Sequence, residues 1–253
     1  VEYINQTRGW FYTLHVLAGA LFEKPAFKNV ICHGILLADD GAKLSKKLKN
    51  YTEPSQIFEN QGSDALRWYF MSSNIVRGGD SRISDQGIDE VVRQVITPIW
   101  NAYSFFTLYA NIDGYRAEWK TTSSNLLDKY ILAKARFLIE AVTDSMDRYD
   151  LPGATTEIKA FIETLNNWYI RRSRDRFWSP ANPANDTDKQ AAYDTLYSIL
   201  KILCEVSAPF LPMTAEEIYS GIHSQGSVHL ASWPDPNQIQ ENPDLIRTMD
   251  LVR

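Results

Sequence analysis

Beyond Gly87 the apolar positions fall three and four apart for most of the chain. Ile88, Val91, Val92, Val95, Ile99, Tyr103 and Phe106 make one stripe, and Leu127, Tyr130, Ile131, Leu138, Ala141, Val142 and Met146 a second. Ile158, Phe161, Ile162, Leu165, Trp168 and Tyr169 make a third, and Leu196, Ile199, Leu200, Leu203 and Val206 a fourth. A period near 3.6 puts each set on one face of a helix, and four such faces predict an antiparallel bundle. Pro98 interrupts the first stripe and should kink it, because it removes a backbone donor. Asp150-Leu151-Pro152-Gly153 reads as a tight turn between helices and Ser179–Asp186 as the clearest loop. Thr214 with Glu217 reads as a capping box, with Met213 stapled against Ile218, so a last short helix ends near Ile222. After it the chain shows turns, such as Trp233-Pro234-Asp235-Pro236, and no long apolar period. It reads as a linker.

The first 86 residues follow a different pattern. Trp10, Leu14, Leu17 and Leu21 predict a helix packed on a sheet, ended by Pro25. The run from Asn29 to Ala38 predicts a buried strand, and helix and strand together fit the last βαβ element of a doubly wound sheet. Gly34 interrupts that strand, as a bulge or as a place where backbone approaches a ligand. Pro54 opens a helix through Asn60, Ser63 or Asp64 caps another through about Ser72, and Arg77-Gly78-Gly79-Asp80 is loop chemistry. Asp64 and Arg67, three apart, read as a helix-surface pair.

Composition narrows the class. With 44% hydrophobic residues among 253, the chain has enough apolar material for a real core. A net charge of -5 argues against indiscriminate coating of nucleic acid, which requires excess positive charge. Cys32 and Cys204 lie far apart in apolar segments and read as free thiols of a reducing compartment, which predicts a cytoplasmic protein. Four scattered histidines show no metal-ligand spacing, so no bound metal is expected, and no apolar run is long enough for a membrane span. The chain opens at Val1 in a strand-like register without a methionine, which suggests a fragment.

Against this acidic balance, Lys43, Lys46, Lys47 and Lys49 crowd seven positions with no acid among them. The cluster follows the predicted strand and the turn signal Asp39-Asp40-Gly41, at a strand's carboxyl end, where open α/β sheets bind ligands. Lysines there can neutralise a polyphosphate as charge builds in a transition state. A lysine-rich loop is, however, more often solvated surface.

Order and spacing add to the charge. Lys43-Leu44-Ser45-Lys46-Lys47 resembles the Lys-Met-Ser-Lys-Ser signature of class I aminoacyl-tRNA synthetases, with Leu for Met and Lys for the last Ser. Glu2-Tyr3-Ile4-Asn5-Gln6-Thr7-Arg8-Gly9-Trp10-Phe11-Tyr12 is similar to the isoleucyl version of the segment that holds the amino acid and its adenylate. Pro25 to Gly34, Asn50-Tyr51, Asp64 to Arg67, Trp100 to Tyr103 and Asn167 to Arg174 continue the likeness in order.

The resemblance implies a mainly α fold: the end of a doubly wound α/β nucleotide-binding domain followed by an α-helical bundle that binds the anticodon. It divides the chain into a Rossmann-type part at 1–40, the lysine loop and stem-contact region at 41–86, the bundle at 87–223 and a linker at 224–253. It implies an enzyme that activates isoleucine with ATP, accompanied by magnesium, and transfers it to tRNA(Ile), as a monomer, the isolated fragment being inactive. Lys43, Ser45 and Lys46 are the catalytic candidates, with Lys46 on ATP. Glu2, Gln6, Trp10, His33 and Gly34 are candidates for the substrate or adenylate. Without the resemblance Trp10 reads as core, Glu2 as surface and His33 as a structural histidine. Valyl-, leucyl- or methionyl-tRNA synthetases, or a tRNA-binding module without catalysis, remain alternatives.

Arg171, Arg172, Arg174 and Arg176 gather at the end of the third stripe, where cations suit the helix dipole. Helical geometry places Arg172 and Arg176 along the continuing stripe, to be partly buried, and Arg171 and Arg174 on another side, to meet tRNA.

Overall fold

The computed structural model describes residues 1–180, 186–223 and 226–253. The predicted loop at Ser179–Asp186 falls mostly on 181–185, outside the described residues. The upstream part begins with β1 (Glu2–Tyr3), α1 (Trp10–Phe22) and β2 (Cys32–His33). The two strands pair in parallel, Glu2 opposite Cys32 and Tyr3 opposite His33, which completes a βαβ unit.

Two expectations change here. The predicted single strand at Asn29–Ala38 is two short ones, β2 and β3 (Leu36–Leu37), with different partners. Between them the Gly34 amide bonds to the Ile75 carbonyl at 2.9 Å and the Ile35 amide to Asp80 Oδ1 at 3.0 Å, so the ladder breaks at the glycine. Downstream, β3 pairs in parallel with β4 (Ser81–Arg82). Helix α1, expected to pack on a sheet, has no buried residue, and Trp10, Leu17, Leu21 and Phe22 are all exposed. A two-stranded sheet of two-residue strands offers no face wide enough to cover it.

Helices α2 (Pro54–Asn60) and α3 (Ser63–Met71) lead to the bundle. The side chains of Ser63 and Asp64 leave α3 uncapped. Asp64 is buried and accepts from the amide and hydroxyl of Thr214, both at 2.7 Å, while Arg67 donates to the Pro209 carbonyl at 3.0 Å. The pair predicted on a helix surface therefore joins α3 to the segment at 209–214, far downstream in sequence.

The first stripe forms α4 (Asp85–Val91), a π-helical turn at Val92–Ile96, and α5 (Thr97–Asp113). Pro98 lies in the first turn of α5, and the Thr97 amide reaches back to the Val92 carbonyl, so the π turn absorbs the missing donor. The second stripe is α6 (Leu126–Asp147). The third is α7 (Leu151–Thr164), a π turn at Leu165–Ile170 and α8 (Arg171–Trp178), and the fourth is α9 (Thr187–Ser207). Ile131, Leu138, Ile158, Leu165, Leu196, Ile199 and Leu203 are essentially removed from solvent where these helices meet. Each such side chain contributes about 1.5–3 kcal/mol.

The turn between α6 and α7 is tighter than predicted. Tyr149 takes a positive φ of 59°, and Asp150 already caps α7 by accepting from the Gly153 amide. Helix α10 (Pro212–Ile222) ends where predicted. Its capping box is absent, because the helix starts at Pro212 and places Thr214 inside the first turn, where its amide donates to Asp64; Met213 is exposed.

The region read as a linker folds back on the bundle. Ile239 is buried, Arg136 donates to the carbonyls of Pro236 and Ile239, and α11 (Pro243–Val252) lies along α6. Asp250 accepts from Tyr130 at 2.6 Å and pairs with Lys134 at 3.3 Å. Leu245, Ile246 and Met249 give the segment a half-buried apolar face, and polar side chains of α6 add to the hold; that face is too short to stand out beside the four long stripes.

Candidate functional site

The lysine loop has a defined base. Gly41, at φ 82°, closes a turn in which the Ala38 amide bonds to the Ala42 carbonyl, and Lys43 then bridges back to Leu37 of β3. Only glycine adopts that φ without strain. Asn50 clasps the other end, its amide nitrogen donating to the Lys43 carbonyl at 3.2 Å while its oxygen accepts from the Ser45 amide at 2.9 Å. Ser45 accepts from the Lys49 amide at 2.9 Å, and Lys49 takes a positive φ of 49°. With the backbone satisfied internally, Lys43, Lys46, Lys47 and Lys49 all extend into solvent. Among the described residues none of the four stands in an ion pair.

Beside the loop lies a cleft of about 460 Å³ with apolar walls, lined by Tyr3, His33, Gly34, Lys43, Phe70 and Ile75, among others. His33 Nδ1 sits 2.9 Å from the Gly34 carbonyl and its ring 5.7 Å from that of Tyr3. At Gly34 a Cβ would stand 2.0 Å from the Gly79 carbonyl oxygen, so the glycine is required by a neighbouring turn of the same chain. The structure thus brings His33, Gly34 and Lys43 together. It leaves Glu2, Gln6 and Trp10 outside the lining of this cleft. Gln6 Oε1 accepts from the Trp10 amide at 2.9 Å, fixing the start of α1, and the Trp10 ring is exposed. The cationic loop fits a polyphosphate; no cluster of three His, Cys, Asp or Glu gathers among the described residues.

At the far end of the bundle the arginines part company. Arg171 is exposed, and the Arg174 guanidinium lies 5.8 Å from the centre of the Trp178 ring. Arg176 is largely buried, binding the buried Asp128 through two bonds of 2.6 and 2.9 Å and Asp188 at 2.8 Å. Tyr169 and Ser123 also donate to Asp128, each at 2.8 Å. Burial works against the Arg176 charge, yet the Asp128 bond and charge outweigh it and raise its pKa. Burial likewise works to raise Asp188, and the Arg176 and Asn125 bonds hold it below the usual carboxylate range. Arg172, expected beside Arg176 in a partly buried position, is exposed and stacks on Trp168 at 4.7 Å. Both arginines share a helix side, but acids face only the later one. Sequence reasoning missed Asp128 and Asp188, whose only local signal was an acid in the first turn of a helix.

A cationic loop beside a βαβ unit, followed by a helical bundle, defines a class. Residues 1–84 match the family described as tRNA synthetases class I (I, L, M and V), and residues 128–253 match the anticodon-binding domain of tRNA ligase. The chain belongs to the class I aminoacyl-tRNA synthetases. Within that class it is similar over its whole length to isoleucine–tRNA ligases, 48% identical to that of Leifsonia xyli subsp. xyli and 49% to those of Mycobacterium tuberculosis and Corynebacterium efficiens. It spans 22–23% of the length of these relatives. Two solved structures share the fold at 19% identity. A leucyl enzyme of Agrobacterium radiobacter K84, in a ternary complex with tRNA and LeuAMS, matches 97% of this chain and 28% of its own at a TM-score of 0.72. The methionyl-tRNA synthetase of Mycobacterium tuberculosis, bound to methionyl-adenylate, matches 79% of this chain and 43% of its own at 0.59.

Proposed function

We propose that this chain is the lysine-loop and anticodon-binding portion of an isoleucine–tRNA ligase. The whole protein joins isoleucine to ATP as the adenylate and passes it to tRNA(Ile), acting as a monomer in the cytoplasm. The observation that carries the reading is the loop: its backbone is closed on itself by Asn50, while its lysines carry no acid partner among the described residues. In this reading the isoleucine carboxylate attacks the α-phosphorus of ATP and pyrophosphate leaves. Lys43 and Lys46, supported by Lys47, meet the charge that develops on the departing phosphates, and the Ser45 backbone fixes their spacing. Magnesium travels with the ATP phosphates. Glu2, Gln6, Trp10, His33 and Gly34 are the residues we assign to isoleucine and its adenylate. We divide the chain at residues 40 and 86, and join 224–253 to the bundle on which it packs. Arg171 and Arg174 are proposed to face tRNA phosphates.

Lys46→Ala in the full-length ligase tests the assignment. Loss of one preorganised charge contact costs about 3–4 kcal/mol of transition-state stabilisation. Isoleucine-dependent pyrophosphate exchange should therefore fall steeply while ATP binding weakens little. Near-normal exchange would overturn the reading.

A further inference from the structure

The lysine loop is tied to the helical bundle by a short path of polar contacts. At the bundle's corner between α6 and α7, the Asp150 carboxylate that caps α7 also takes the Arg77 guanidinium through Nε and Nη2. One residue earlier, the Tyr149 hydroxyl accepts from Asn29 Nδ2 at 3.0 Å, across 120 positions of sequence. Arg77 ends the turn whose Ile75 carbonyl holds Gly34, and the next residues run through Asp80, which holds the Ile35 amide, into β4. Strand β4 pairs with β3, and Leu37 of β3 bridges to Lys43, the first lysine of the loop. Contact along this path is close at Gly34, where no Cβ fits against Gly79. A shift at the corner therefore reaches the loop with little slack.

We propose that Arg77 and Asp150, backed by Asn29 and Tyr149, form a latch that sets the position of the lysine loop relative to the bundle. Both partners of the ion pair are substantially exposed, at 51% and 31%, so the pair contributes little to global stability and is suited to fixing a position. The geometry makes Arg77 and Asp150 positioning residues for the loop. That this position serves adenylate formation rests on the function proposed above.

Amide hydrogen exchange of residues 43–50 in the full-length protein tests the latch directly. Arg77→Ala and Asp150→Asn should each speed exchange there about twofold to fivefold, the range that breaking one exposed pair allows. Asn at position 150 keeps the helix cap, which guards against simple unfolding. Arg93→Ala, which breaks an exposed pair with Glu90 elsewhere, should leave the loop unchanged. Unchanged exchange in the first two variants, or equal acceleration in the Arg93 control, would overturn the latch. Pyrophosphate exchange in the same variants should lose turnover with the KM for ATP unchanged. If the unmodified protein shows no isoleucine-dependent exchange, the proposed function fails while the amide data still decide the latch.

Discussion

At the scale of single residues, the arginines of α8 show how one helix end serves two purposes. Arg176 reaches the buried Asp128 and the half-exposed Asp188, and every carboxylate oxygen of Asp128 has a donor. Replacing it by alanine strands a buried carboxylate, which typically costs about 3–5 kcal/mol. Chemical denaturation of Arg176→Ala should show a loss of that size. Arg171 and Arg174 have no such partner among the described residues, so their alanine variants should lose well under 1 kcal/mol, the scale of an exposed cation–π or dipole contact. If they meet tRNA as proposed, each variant should instead weaken tRNA binding and reduce its salt slope by about 1. Affinity measured against salt for the two variants checks this, and an unchanged slope would leave only the dipole role.

At the scale of elements, the start of α10 depends on a residue 150 positions upstream. The first amides of any helix lack partners, and here Asp64 of α3 supplies acceptors to Met213 and Thr214 from within the core. Removing a cap costs about 0.5–2 kcal/mol, and burial places this one at the upper end. Urea denaturation of Asp64→Ala should show a loss near 2 kcal/mol, with Asp64→Asn recovering part of it. A loss no greater than that of an exposed acid would mean that solvent satisfies the α10 amides. The π turns at Val92–Ile96 and Leu165–Ile170 work differently, each keeping a long helix continuous where an ideal one would break or rotate its apolar face away.

For the whole molecule, charge sets the response to acid. Arg77 holds Asp150 below the usual carboxylate range. Burial works to raise Asp113, but bonds from Lys189 and Tyr193 outweigh it and keep that group low too, as Arg176 does for Asp188. A carboxyl whose folded pKa lies below its unfolded value of about 3.9 stabilises the fold above that pH, and the contribution fades as pH falls through the folded value. Glu205 has the opposite sign, because burial raises it and the Lys201 contact only opposes that rise. Among the described residues three lowered carboxyl groups stand against one raised, so stability measured by urea midpoint should fall as pH drops from 5 to 3. Asp150→Asn should flatten part of that slope. A midpoint that held steady to pH 3 would show that these pairs do not survive in solution.

The sequence by itself determined the long helices of the bundle, because their stability lies in apolar periodicity, which is a local pattern. Ile158, Leu165, Leu196 and Leu203 were assigned to a core and are buried. The lysine loop was equally legible, since charge density and a following asparagine can be read along the chain, and the family followed from the same residues. What only the tertiary structure decided lies in contacts between positions far apart. Asp64 looked like a cap or a surface partner until α10 was brought to it. Arg172 and Arg176 were indistinguishable on a helical wheel until Asp128 and Asp188 faced one and not the other. The last thirty residues looked loose because their apolar face, Leu245, Ile246 and Met249, is short, and much of their hold on α6 comes from hydrogen bonds with Tyr130, Lys134 and Arg136. A polar contact depends on where two atoms meet, and that is settled by the packing of the whole chain.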